Sequence, residues 1–172
     1  MKAANSDATA SVLGRRAWIL GLAGALTGLC LAVKVIADRT LAAHPVDLGP
    51  LDLRLAFNPG VAFSLGERLP SAAIVASTAA ITLGVFVFAW RNARALTTVG
   101  AVGFAAVLAG ALSNLADRAS DGVVTDYFHT GWYPTFNLPD VLITIGAVLI
   151  LLSTLRQGDR DKMADTEQRP AC

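Results

Sequence analysis

Residues 113–141 read SNLADRASDGVVTDYFHTGWYPTFNLPDV and separate two strongly apolar segments. The stretch holds Asp117, Asp121, Asp126 and Asp140 together with Arg118, Asn114 and Asn137. Ionisable groups are costly in or beside a bilayer, so a cluster of them where two membrane segments emerge marks a candidate functional site. The fold then turns on whether the flanks are membrane segments.

Composition answers that question. The chain is 54% hydrophobic with a mean hydropathy of +0.55, which lies outside the soluble globular range. A net charge of +1 without any lysine- or arginine-rich run leaves no electrostatic footprint for nucleic acid. Cys30 sits in an apolar run and Cys172 at the end of the chain, which gives neither a disulfide framework nor zinc-ligand spacing.

Working outward from 113–141, residues 96–112 precede it and 138–155 follow it, each apolar over about the length that crosses a hydrocarbon core. Pro139 suits the first turn of the second of these. Residues 71–90 form another such segment, closing on the interfacial pair Trp90-Arg91, and 17–36 form the first. Arg15-Arg16, the apolar run and Cys30 also suggest a lipoprotein signal peptide, but Leu29 is not the small residue its cleavage site requires and three more spans follow. The expected fold is an all-α integral membrane protein of four transmembrane helices in one domain, 17–155. The tails 1–16 and 156–172, polar and without apolar period, are expected to be disordered.

Between the first two spans, Leu51, Leu53, Leu55 and Phe57 alternate with Asp52, Arg54 and Ala56, the period of a half-buried strand. Asn58-Pro59-Gly60 then predicts a turn, with 61–65 returning as a paired strand. A small extracytoplasmic sheet or hairpin over about 46–65 is the expectation. Arg15, Arg16, Arg91, Arg94, Arg156, Arg160 and Lys162 fall on one side of four spans, against Arg39, Arg54, Arg68 and Arg118 on the other. By the positive-inside rule both termini are cytoplasmic, and the polar cluster faces outward.

Asp126 follows the apolar Val123-Val124-Thr125, and Asp140 lies behind Pro139 at the same membrane face. Two carboxylates brought close cannot both ionise cheaply, so the pair can share a proton and hold a water between an acid and a base. Of the two, Asp140 is expected to be the more readily ionised, because a helix N-terminus favours negative charge. Taken singly, each has a plainer reading: Asp140 as a helix cap, Asp126 as a solvated loop residue, Asp117-Arg118 as a surface ion pair, Asn58 and Asn137 as turn residues. His44 and His129 are single loop histidines, and Asp121-Gly122 is a turn signal.

Four short blocks change this balance. Residues 58–64 (NPGVAFS), 113–118 (SNLADR), 122–127 (GVVTDY) and 136–140 (FNLPD) resemble, in order, the N-x-G-x-A-F-S, G-N-x-x-D-R, V-x-D-F/Y and F-N-x-A-D blocks of the bacterial lipoprotein signal peptidases, signal peptidase II. The resemblance spans nearly all of 17–155. It implies an intramembrane aspartyl endopeptidase that removes the signal peptide from diacylglyceryl-modified prolipoproteins, cutting before the lipidated cysteine. Asp126 and Asp140 match the catalytic dyad. Asn58, Asn114, Arg118 and Asn137 would line the site and bind substrate, with Asp117 supporting Arg118. The hairpin would be the family's periplasmic cradle, with a lid over the dyad. The resemblance further implies no metal or other cofactor, and as partners lipid-modified prolipoproteins, membrane lipids and globomycin-type inhibitors, with no nucleic acid and a monomeric protein.

Three departures stand out. Asp38-Arg39-Thr40-Leu41-Ala42 keeps only the aspartate of the family's D-Q-x-[TS]-K motif, Ser113 replaces the usual glycine, and Pro139 replaces the common alanine. None removes a catalytic group. Two other classes compete with a protease: a catalytically silent homologue that binds lipoprotein precursors, and a small membrane scaffold or transporter. The last would need polar groups in mid-span, where only scattered Ser and Thr occur and Lys34 lies near enough to an end to snorkel.

Overall fold

A computed structural model describes residues 2–59 and 70–167. Four helices are long and apolar enough to cross a membrane. They are α1 (Lys2–Leu41), α2 (Ser71–Asn92), α3 (Thr98–Asp121) and α4 (Leu138–Glu167), with strands β1 (Val46–Asp47) and β2 (Asp52–Asn58) between α1 and α2 and β3 (Val124–His129) between α3 and α4. The four-span expectation holds.

Helix α3 is the axis of the bundle. About 61% of its apolar span is buried, against 17% for each of the others, whose remaining surface is left for lipid. Small residues make this possible. Ala101 and Ala105 are fully buried against Ile19 and Ala23 of α1, while Gly103 and Gly146 face each other across the α3–α4 seam. A methyl group on Gly146 would lie 2.6 Å from the carbonyl oxygen of Gly103, so the two backbones approach at a distance that side chains would forbid. Gly110 meets the carbonyl of Pro139 in the same way, which brings the start of α4 against the last turns of α3.

Three boundaries differ from expectation. Helix α3 does not stop at 112 but continues to Asp121, so Asn114, Asp117 and Arg118 are helical rather than in a loop. Nothing between 113 and 121 breaks a helix. The polar side chains end the hydropathy signal, whereas the backbone ends at Gly122, whose φ of 76° sets a left-handed C-cap and whose N–H donates to the Arg118 carbonyl. Likewise α1 begins at Lys2 and α4 runs to Glu167, so helix covers most of both segments read as disordered tails. Those tails are rich in Ala and Arg, good helix formers that extend a helix already nucleated by a span.

The sheet has the order β1-β2-β3, all antiparallel. In the described residues β2 pairs not with a following hairpin strand but with β3 from the α3–α4 connection, with Asn58 opposite Val124 and Ala56 opposite Asp126. The expected return strand at 61–65 lies outside the described residues. Leu53 and Leu55 pack with Tyr127, Ala37 and Leu41 as the alternation predicts, whereas Phe57 is 64% exposed. A register irregularity between Leu53 and Ala56 breaks the period of two there.

Candidate active site

Three local devices bring Asp126 and Asp140 together. The first is β3, which leaves α3 at Gly122 and runs beside β2, so that Asp126 projects from a paired strand and is 1% exposed. The second is the base of the following loop. Phe136 accepts from the N–H groups of Tyr127 (3.1 Å) and Phe128 (2.9 Å), and its own N–H donates to the Phe128 carbonyl (3.1 Å), which folds Asn137 back over β3.

The third device is a reciprocal cap at the start of α4. The Asn137 side-chain carbonyl accepts from the Asp140 N–H at 3.0 Å, and the Asp140 carboxylate accepts from the Asn137 N–H at 3.1 Å. This is the capping-box arrangement, with Asn at the cap and Asp in the place usually held by Glu or Gln. Both plain readings from sequence are thereby true of these residues, Asp140 as a capping group and Asn137 as a boundary residue. Neither excludes chemistry, because each side chain also reaches further.

Asn137, 1% exposed, donates through its amide to Asp126 at 2.9 Å and to Asn114 at 3.2 Å. Asn114 in turn donates to the other oxygen of Asp140 at 2.9 Å. Asn114, Asn137, Asp126 and Asp140 therefore form one connected network, with the amides supplying donors to both carboxylates. Asn58 donates to Asp126 at 3.5 Å, and Thr135 at 3.3 Å. Arg118, half-buried one turn beyond Asn114, places its positive charge where it acts on Asp140, Asp126 and Asp117.

Burial, reinforced by the nearby charge of Asp140, pushes the Asp126 carboxyl up to about 6 against the pull of its hydrogen bonds from Asn58, Thr135 and Asn137. Burial likewise raises the neighbouring Tyr127 to about 12. Its hydroxyl accepts from the Leu138 N–H at 2.9 Å, a second tie between β3 and the start of α4.

Asp117 stands one step back. Its carboxylate takes the Thr125 N–H at 3.0 Å, holding the strand residue next to Asp126, and pairs with Lys34 of α1 at 2.9 Å. Lys34 also pairs with Asp38 (3.2 Å) and Asp121 (3.4 Å). Lys34 thus belongs to an ion cluster behind the site, where the sequence suggested snorkelling, and Asp38 is part of that cluster. Thr135, the Tyr127 hydroxyl and Lys34 are the polar partners that sequence reasoning missed. Nothing local singles out Thr135 or Lys34, whose significance depends on which helices are neighbours.

Beside Asp140 opens an apolar cavity of about 350 Å³ lined by Trp132, Tyr133, Phe136, Val141 and Ile145. Trp132 is 84% exposed and Tyr133 48%. The site is thus a buried carboxylate, Asp126, beside a half-buried one, Asp140, with an aromatic-walled opening on one side. Among the described residues no group of three or more His, Cys, Asp and Glu could hold a metal ion.

The signal peptidase (SPase) II family matches residues 22–156, most of the chain. The chain belongs to the signal peptidase II family. Relatives include the lipoprotein signal peptidases of Brucella ovis and Brucella canis, each 36% identical over 135 residues that cover 76% of this chain and 84% of the relative. Two solved structures share the fold, both bacterial membrane enzymes determined by the in meso method. One, at 2.3 Å, has a TM-score of 0.70 and 21% identity over 90% of this chain and 94% of its own. The other, at 1.9 Å, has a TM-score of 0.67 and 23% identity over 80% and 92%. As a signal peptidase II member with four spans, the chain is an aspartic-type peptidase and a multi-pass protein of the bacterial inner membrane.

Proposed function

We propose that this signal peptidase II is an intramembrane aspartyl endopeptidase that removes the signal peptide from diacylglyceryl-modified prolipoproteins, cutting before the lipidated cysteine. One observation carries the reading: Asp126, buried, and Asp140, half-buried, are carboxylates joined through a single residue, Asn137, whose side-chain amide donates to the first and whose backbone N–H donates to the second. A signal peptide is an apolar helix, so its protease must present polar groups near the membrane surface inside a protein-lined site that water can enter. The aromatic-walled cavity next to Asp140 suits an apolar segment approaching from the bilayer.

In the proposed reaction Asp140, at a helix N-terminus and accepting two hydrogen bonds, is the ionised member and takes a proton from water. Asp126, the protonated member, donates to the scissile carbonyl oxygen as the water oxygen bonds to the carbonyl carbon. The tetrahedral intermediate collapses with loss of the amine, which leaves with the proton held by Asp140, while Asp126 recovers its own. The protons belong to the pair throughout. Asn114 and Asn137 hold the carboxylates in register, Asn58 and Arg118 line the substrate path, and Asp117 fixes the strand that carries Asp126.

The arginine distribution supports placing both termini in the cytoplasm and the carboxylates at the extracytoplasmic face. The protein would act as a monomer, without metal, and be blocked by globomycin-type peptides. The test is processing of a lipidated prolipoprotein by purified Asp126→Asn and Asp140→Asn variants. Each should lose about 10²–10⁴-fold in rate while retaining its fold. Undiminished cleavage by either variant would remove it from the mechanism.

A further inference from the structure

The end of the bundle remote from Asp126 and Asp140 holds a second cavity, of about 330 Å³, lined by Arg16, Arg91 and Arg94 together with Val12 and Leu13. Chain topology sets it across the membrane from the carboxylates. It lies where the α1 span begins and α2 ends, whereas the carboxylates lie where α3 ends and α4 begins. The peptidase chemistry proposed above does not involve it.

Its lining combines two features that suit one ligand chemistry. Guanidinium groups present a planar fork of donors that matches phosphate oxygens. Val12 and Leu13 add an aliphatic wall, which a free inorganic ion would not need but the glycerol and first methylenes of a lipid would cover. The site is also partly preset. Arg16 donates through Nε to the Trp90 carbonyl at 3.1 Å, and its guanidinium carbon stands 4.5 Å from the Trp90 ring centroid. Fixing one guanidinium beforehand lowers the ordering cost of binding. Trp90 itself, at the end of an apolar span, marks the depth at which headgroup phosphates lie.

We infer that this cavity binds the phosphate of an anionic phospholipid in the leaflet opposite the carboxylate pair. Three arginines favour an anionic over a zwitterionic headgroup, because a choline or ethanolamine group would bring a positive charge among them. The interaction ties the start of the α1 span to the end of α2 through a lipid rather than through protein alone.

The experiment uses the full chain in phosphatidylcholine nanodiscs with and without phosphatidylglycerol, read by native mass spectrometry of retained lipid and by the thermal midpoint. The native protein should retain phosphatidylglycerol over phosphatidylcholine by about tenfold or more and unfold at a higher temperature with it, as expected for several surface arginines acting together. Arg91→Gln/Arg94→Gln should lose both effects. Arg91→Lys/Arg94→Lys, which conserves the charge that sets topology, should insert normally and keep a reduced preference, so that loss in the glutamine variant is not attributable to misinsertion. Excess inorganic phosphate should leave the lipid in place. Equal retention of the two lipids by the native protein, unchanged preference in the glutamine variant, or displacement by inorganic phosphate would each overturn the assignment, the last in favour of a free phosphate site.

Discussion

Asn137 and Asp140 cap the same helix reciprocally, each accepting the other's backbone N–H, at 3.0 and 3.1 Å. The side-chain amide of Asn137 is left to hold Asp126 at 2.9 Å. One residue thereby starts α4, orients one carboxylate and restrains the other.

Asn137→Ala should expose this coupling. Loss of the cap costs about 1 kcal/mol of stability. The rate should fall further than that suggests, by up to about 10²-fold, because Asp126 loses a positioning donor while Asp140 loses the cap that fixes its backbone. Thermal unfolding alongside single-turnover cleavage separates the two effects, and a rate loss no larger than the change in folded fraction would leave Asn137 as a cap alone.

The raised Asp126 carboxyl predicts a pH dependence of definite sign. Its folded value of about 6 lies above the ordinary 3.8, so the folded state holds this proton more tightly than the unfolded chain does. The resulting stability is fully present below the ordinary value and is lost as pH rises through about 6. Thermal midpoints in detergent should decline across that window for the native protein and less so for Asp126→Asn. The same proton should give kcat/KM an alkaline limb that reports the carboxylate pair.

Gly110 tests the seam. A methyl group there meets the Pro139 carbonyl, whereas one on Gly84 of α2 meets nothing within 4 Å. Gly110→Ala should destabilise by about 1–3 kcal/mol and move the first turn of α4 away from Asn114, reducing cleavage, while Gly84→Ala should be near neutral. Equal behaviour of the two variants in unfolding and cleavage assays would contradict the packing argument.

Lys34→Met should be costly, because it removes the ion-pair partner of Asp117, whose side chain is 8% exposed, and leaves only the more distant charge of Arg118. At most about 3 kcal/mol is expected from breaking a buried ion pair, discounted by the Thr125 N–H and Arg118 that Asp117 keeps and by the solvent that reaches Lys34, which is itself 18% exposed. Lys34→Arg should recover most of it. The double variant Lys34→Met/Asp117→Asn should be less destabilised than Lys34→Met alone, which a thermal-shift series in detergent would show.

Four spans and the family were legible in residue order, because lipid selects long apolar runs and because short sequence blocks carry their own pattern; the same blocks singled out Asp126 and Asp140, whose catalytic role is the proposal tested above. Hydropathy was also what misplaced the end of α3: it follows side chains, while the helix ends at the backbone of Gly122. Three features were settled by packing between distant segments: the pairing of β2 with β3, the ion cluster at Lys34, and the joining of two carboxylates through Asn137. Each depends on close approach between separate elements of the chain, an approach that small residues such as Gly110 permit and that no local propensity encodes.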